Sequence, residues 1–376
     1  MKETSKWFKM FATTNSWDKS TTGFAQKNHK EVSMSTYYYI GLDIHKKVIA
    51  YCIKTVAGHL VEAGKIAATR MALEKWTKGL PGPWIAGMEA TIFTGWIYDY
   101  LSPHAAGLKV AHPQMLKAIT AAKKKNDRDD AEKIVDLLRV NLFPECHMLP
   151  VNIRELRRIL RYRNHIVRTA VKMQNKMSGL LMEVGAEYSK KRLRGKRYFS
   201  MLLETVDEIP QSVKELLKMS RASYEMFHVV QKRLIRELRG NAMIQERVRR
   251  LMTIRGVGEV TALTWVLEIG EPSRFGSIRK AVSYCGLCSA QHESAGKEQR
   301  GPISKKRNKH LQTILIEAAK IAPQWNPQLA AIREKELQKG NRNRATLAVA
   351  RKLVAYMMAV DKTGVDFSIP EELVIA

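Results

Sequence analysis

At Pro150 the apolar pattern of this chain changes from short runs to long helical spacing. That break separates an α/β part from a helical part. Before it, residues 37–44 (Tyr-Tyr-Tyr-Ile-Gly-Leu-Asp-Ile), 48–55 and 60–67 read as strands. Ala57-Gly58-His59 is short enough to close a hairpin between the last two. A helical pattern covers 71–78 and stops at Pro81-Gly82-Pro83. A fourth strand, 84–89, ends in a carboxylate; a helix over 93–101, a strand over 108–111 and a helix over 128–142 follow. Three strands and then βα alternation predict an α/β domain with a mixed sheet.

Beyond Pro150, residues 153–183 and 212–252 read as long helices rich in Arg and Lys. Leu156, Ile159, Leu160, Ile166, Val167, Val171 and Met173 recur at helical spacing, so these helices pack together, within one chain or between subunits. Residues 253–325 restart with glycine-containing turns and short helices, and helices are expected again beyond 327. Residues 1–33 are polar and aperiodic and read as a weakly ordered extension.

The net charge of +28, from 64 Lys and Arg against 36 Asp and Glu, points to a polyanion as partner. Cations gain free energy by releasing counterions from nucleic acid. No apolar run of about 18 residues is present to span a bilayer, so a membrane partner is not expected. Four cysteines in so long a chain do not form a disulfide scaffold, which predicts a reducing, cytoplasmic setting. Cys285-Gly-Leu-Cys288 lacks a second ligand pair and reads as two small buried residues. On the first long helix Arg157, Arg158 and Arg161 are candidate contacts to a nucleic-acid backbone, because almost no acids balance them.

Four carboxylates stand out by position. Asp43 and Glu89 end apolar strands, and Asp127 and Asp130 lie three apart at a helix start, on about one face. Clustered carboxylates repel unless a cation neutralises them, and hard oxygen ligands select Mg²⁺ or Mn²⁺. Two such ions clamp both oxygens of a phosphodiester exchange. The glycine turn Ile254-Arg-Gly256-Val-Gly258 opens a helix and reads equally as a phosphate-holding turn, through Gly256 and Gly258, or as a tight helix–helix turn.

These residues carry a resemblance. Gly41-Leu-Asp43-Ile-His45-Lys46, Gly87-Met-Glu89-Ala-Thr91 and Asn126-Asp127-Arg-Asp-Asp130-Ala-Glu132 resemble the signature of DEDD insertion-sequence transposases. The run from Phe275 through Gly286-Leu287, Ser294-Ala-Gly296-Lys297 and Lys305-Lys306-Arg307-Asn308-Lys309 resembles that family's C-terminal transposase domain. The resemblance implies an RNase H-like N-terminal domain with Asp43, Glu89, Asp127 and Asp130 as metal tetrad. It implies Ser294 as nucleophile, and Lys297, Lys305, Lys306, Arg307 and Lys309 as contacts to nucleic acid. It further implies a bridge RNA that chooses target and donor DNA, and a homodimer or homotetramer, nucleoid-associated when bound. Glu293 and Ala295 depart from the family's usual Ser-Ser-Gly-Gly, and Cys288-Ser289 from its Val-Pro.

The expected organisation is a 1–33 extension, a 34–150 RNase H-like domain and a 151–252 basic, coiled-coil-like bridge. A mostly helical serine-bearing domain over 253–345 and a 346–376 helical tail complete it. The expected function is site-specific recombination. A metal-dependent junction-resolving nuclease and a non-catalytic nucleic-acid-binding protein are the alternatives.

Overall fold

A computed structural model describes residues 37–119, 126–207, 209–294, 296–304 and 307–368. The 1–33 extension lies outside them, as do Lys305 and Lys306. The chain divides into two compact units, 1–147 and 148–376.

The first unit is built on a five-stranded mixed sheet in the order β3-β2-β1-β4-β5. Its strands are β1 (Tyr38–Ile44), β2 (Val48–Thr55), β3 (Leu60–Ala67), β4 (Trp84–Glu89) and β5 (Gly107–Ala111). β1 and β2 pair antiparallel, as do β2 and β3, whereas β4 runs parallel to both β1 and β5. The helices are α1 (Arg70–Lys78), α2 (Thr94–Leu101), α3 (Pro113–Ile119) and α4 (Asp127–Arg139).

Strand side chains alternate between faces, and here the alternation sorts two cores. Ile40, Leu42 and Ile44 of β1 join Trp84, Ala86 and Met88 of β4 in one core with Leu73 of α1 and Ile97 of α2. Tyr39 of β1 and Cys52 of β2 join Ala131, Val135 and Leu138 of α4 in the other. The odd-numbered residues of β1 and β4, Asp43 and Glu89 among them, therefore belong to the α4 face.

Gly41 is the hinge of this packing. A Cβ there would stand 2.0 Å from the carbonyl oxygen of Ala131 and 2.7 Å from the nitrogen of Val135, both backbone atoms of α4. Only glycine lets α4 lie this close on β1. Lys54 of β2 adds a second lock: its buried Nζ meets Glu132 at 2.9 Å and Asp136 at 2.9 Å, both on α4. Burial pulls the Lys54 ammonium down, but the hydrogen bonds it donates to Asp136 and Glu132 outweigh this and hold it above its ordinary value.

The second unit is mostly helical. Its helices are α5 (Val151–Glu183), α6 (Lys196–Thr205), α7 (Gln211–Arg239), α8 (Ala242–Met252), α9 (Glu259–Ile269), α10 (Ile278–Tyr284), α11 (Lys309–Ile321), α12 (Pro327–Leu337) and α13 (Arg342–Thr363). α5 is about 50 Å long at 1.5 Å per residue. Leu156 and Leu160 share a core with Leu238, while Met177 and Leu181 share another with Leu217. α5 and α7 thus run antiparallel. The expected single helix over 212–252 is two helices: Gly240 caps α7, and the Asn241 side chain accepts from the Met243 N–H to start α8. α6, too, is an element that the helical reading did not mark.

α9 is apolar all round, and every residue from Ala262 to Ile269 is buried; a helix without a polar face belongs in a core centre. Its one buried acid, Glu268, accepts both prongs of the Arg161 fork at 2.7 Å and the Asn308 amide at 2.8 Å. Burial pushes the Glu268 carboxyl up, but Arg161 and then Asn308 outweigh it and leave it below its ordinary 4.5. The region expected to be turns and short helices contains a two-stranded hairpin, β6 (Ser289–Ser294) and β7 (Lys297–Ile303). No helix among the described residues is long and apolar enough to cross a membrane.

Candidate active site

Two acids reach the α4 face from neighbouring strands. β1 and β4 are in parallel register through Leu42 and Met88. Asp43 and Glu89 each follow by one residue, so they end adjacent strands about 4.8 Å apart on the same face. The first turn of α4 brings Asp127 and Asp130 to this edge. Asn126 caps that turn by accepting from the Asp129 N–H, which frees Asp127 from a capping role.

The sequence reading did not single out His45 as a ligand, and it completes the cluster. Its Nε2 lies 3.0 Å from Asp43 Oδ2 and 3.4 Å from Asp127 Oδ1. One ligand atom from each of Asp43, His45 and Asp127 lies within 4.8 Å of the others. Among the described residues, this trio is the one group of that kind, and Glu89 and Asp130 fall outside it. His45 follows Asp43 by two residues and is the first residue after β1, close enough in sequence to reach the same acids. That spacing was the available signal.

The electrostatics are those of crowded acids. Burial raises the Asp43 carboxyl above its ordinary value; the His45 charge and hydrogen bond oppose this, and the charges of Asp130 and Asp127 add to it. The Asp43 side chain is 13% exposed and that of Asp127 40%. Lys65 of β3 donates to Asp127 at 2.7 Å and is the main cause holding that carboxyl below its ordinary range. Asp130 pairs with Lys133 at 3.4 Å.

In the second unit, Ser294 is the last residue of β6 and pairs with Lys297 across the hairpin tip. The side chains of Ser294 and Lys297 lie outside the described residues. Gly296 at the tip has φ +75°, the left-handed region that a tight hairpin turn uses. Arg307 and Lys309 are exposed after β7, at the start of α11. Arg158 is exposed on α5, whereas the Arg161 fork is occupied by Glu268, and burial and then the Arg161 charge lower the Arg157 pKa. Gly256, at φ +94°, seats on Ala322, where a Cβ would stand 2.4 Å from the alanine Cβ. Gly258 caps α9 facing open space. The α8–α9 turn is thus a close-packed one at Gly256 and open at Gly258.

A family model described as Transposase, of the DEDD IS110 type, matches residues 40–185. A second, described as Transposase IS116/IS110/IS902 family, matches residues 248–333. Together they take in both the acidic edge and the serine hairpin. The chain belongs to the IS110-type transposases. It is 25% identical over 336 residues to the transposase for insertion sequence element IS1328 of Yersinia enterocolitica, covering 88% of this chain and 98% of that one. It is 26% identical over 302 residues to the transposase for insertion sequence element IS1111A of Coxiella burnetii, covering 77% and 78%. As an IS110-type transposase the protein is an enzyme acting on DNA, which accounts for the net charge of +28.

Proposed function

We propose that this transposase cuts and rejoins DNA with a divalent cation, Mg²⁺ or Mn²⁺, held by the carboxylate cluster and with Ser294 as nucleophile. The observation that carries the metal half is the convergence of Asp43, His45 and Asp127 within 4.8 Å in a strongly basic protein. The donor set fits a hard cation: two carboxylates, with Glu89 and Asp130 at the same sheet edge, and one imidazole. Lys65 already supplies positive charge to Asp127. When bound, the cation would polarise a phosphodiester and stabilise the charge that develops on its oxygens.

In this reading Asp43, Glu89, Asp127 and Asp130 would hold and orient the cation. His45 would join them through Nε2, which lies against Asp43 and Asp127. Ser294 Oγ attacks phosphorus, its proton passes to a base, and the displaced sugar oxygen leaves with a proton. One P–O bond forms as one breaks, so the covalent phosphoserine keeps the bond energy and rejoining needs no ATP. Lys297, Lys305, Lys306, Arg307 and Lys309 would hold the strand on the hairpin; Arg158 would hold backbone phosphates along α5.

The RNase H-like assignment of residues 34–150, and the bridge, serine-bearing and tail regions at 151–252, 253–345 and 346–376, belong to this proposal. So do a bridge RNA choosing target and donor, a homodimeric or homotetrameric assembly and a cytoplasmic setting. The family resemblance and the net charge of +28 support them.

Calorimetric titration of Mn²⁺ into the full chain tests the metal half. Wild type should give a saturable uptake that Asp43→Asn with Asp127→Asn removes. Equal uptake by both chains would take these residues out of the metal site.

A further inference from the structure

A cleft of about 690 Å³ opens beside the root of β6, between α10 and α13. Val282, Ala348 and Ala355 make its floor apolar, and Arg279, Arg351 and Lys352 are its cations. A second cleft, of about 370 Å³, flanks the other side of the root at β7, shares Ser289 and Arg351 with the first and adds Arg344. Neither is lined by an aspartate or glutamate among the described residues. Arg344 is paired with Glu336 at 3.0 Å, as Arg161, Arg247 and Arg249 elsewhere in this unit are each tied to a carboxylate; Arg351 and Lys352 differ from them.

Two of these cations, Arg351 and Lys352, are held by uncharged groups. Arg351 donates through Nε to the Leu287 carbonyl at 2.9 Å. Lys352 Nζ lies 5.2 Å over the Tyr356 ring. Burial alone lowers the Lys352 pKa, with no carboxylate offsetting it. The positive charge of Arg351 and Lys352 is thus left for an anion from outside, and the apolar floor requires that the same ligand carry an apolar face.

We propose that this cleft takes one unpaired nucleotide of the DNA strand lying on the serine hairpin, with its base on the apolar floor and its phosphates on Arg351 and Lys352. A nucleotide is the ligand class that joins a flat apolar face to an anion. The cleft is within the size range of small-ligand pockets, roughly 300–1,000 Å³, and guanidinium planes stack on bases. Strand exchange needs bases released from their partners near the cut, and a pocket for one of them offsets the unstacking cost. From Ser289 to Ser294 is about 17 Å along a strand. At 3.4 Å per nucleotide that places the unpaired base roughly five nucleotides from the cut. The inference rests on the proposed role of Ser294.

The test uses a duplex carrying 2-aminopurine, which brightens on unstacking, at successive positions flanking the cut. It is bound to the full chain without divalent cation, so that no cleavage is required. Fluorescence should rise at one position within roughly five nucleotides of the cut. Ala348→Phe fills the floor and should abolish the rise, weakening binding of DNA with an unpaired base there about tenfold. Lys352→Gln, which keeps the shape of the cleft, should lower the slope of log affinity against log salt by about 0.7–0.9. No rise at any position, or a rise that Ala348→Phe and Lys352→Gln both leave intact, overturns the cleft and leaves the proposed function standing. A rise with single-stranded RNA but not with DNA also overturns it and makes the cleft a site for RNA. A covalent adduct that persists in Ser294→Ala overturns the proposed function instead; the unstacking signal is read independently of it.

Discussion

The acids at the end of β1 and those in the core of the second unit are treated in opposite ways. In the second unit the side chains of Glu268 and Asp361 are 0% exposed, and each is gripped by an arginine fork, Arg161 and Arg247. Asp361 also accepts from the Trp265 indole at 2.9 Å. These acids are neutralised one by one and hold helices together. In the first unit Asp43, Asp127 and Asp130 crowd one another, and their partners are a histidine and exposed or half-exposed lysines. No arginine fork closes on them among the described residues. A buried acid with its own fork is a structural element; acids gathered with weak partners keep negative charge for a ligand that must come and go.

The largest effect that would break this contrast is catalytic. Asp43→Asn removes a ligand charge and almost no volume, so DNA cleavage should fall by about a thousandfold or more while DNA binding persists. Paired cleavage and binding assays check this. Cleavage near the wild-type rate would make Asp43 another structural acid.

Next is the packing that brings the acids together. Gly41→Ala drives a methyl into the α4 backbone and should cost about 1–3 kcal/mol in denaturant unfolding. Cleavage should drop with it, since Asp127 and Asp130 ride on α4. Unchanged stability would mean that α4 yields without strain.

On the structural side, Arg161→Ala leaves Glu268 buried without its fork. Arg161 is 44% exposed, so the loss should sit below the full cost for a buried pair, at about 2–3 kcal/mol near neutral pH. The sign with pH follows from the depressed Glu268 pKa. The stabilisation is present above 4.5, its ordinary value, and is lost as pH falls through the lower folded value. Wild-type stability should therefore drop below about pH 4.5 more steeply than that of Arg161→Ala. Parallel curves would show that the pair adds nothing. By contrast Arg158→Ala should leave stability unchanged and flatten the salt slope of DNA binding by about 0.7–0.9. The smallest effect is expected from removing residues 1–33, which carry no core pattern; melting and recombination assays should match the full chain.

Much of the first unit was legible because strand alternation is local. The run from Tyr37 to Ile44 announces both a strand and the acid at its end; that Gly41 is where α4 touches appears only in the structure. The mixed sheet followed by helices was readable for the same reason. What escaped was long-range or lacked apolar alternation. Ser289-Ala-Gln-His-Glu-Ser294 is polar on both faces, so β6 gave no strand signal, although Gly296 marks its turn. The partnership of Arg161 with Glu268 spans 107 positions, and that of Lys54 with Asp136 spans 82. No window of local sequence reports such pairs. The basic cleft beside β6 is assembled from α10 and α13 and is invisible in the same way.

The measurement that tests the division of labour most directly is a denaturing gel of reactions on nicked suicide DNA in Mg²⁺. Wild type should give a protease-sensitive shifted band, a covalent protein–DNA adduct. Ser294→Ala deletes one hydroxyl and should give none, with DNA binding intact, and Asp43→Asn should also give none. A band that persists in Ser294→Ala would place the nucleophile on another residue. Clean cutting by wild type without any band would make water the nucleophile and the enzyme a junction-type nuclease, contradicting the account.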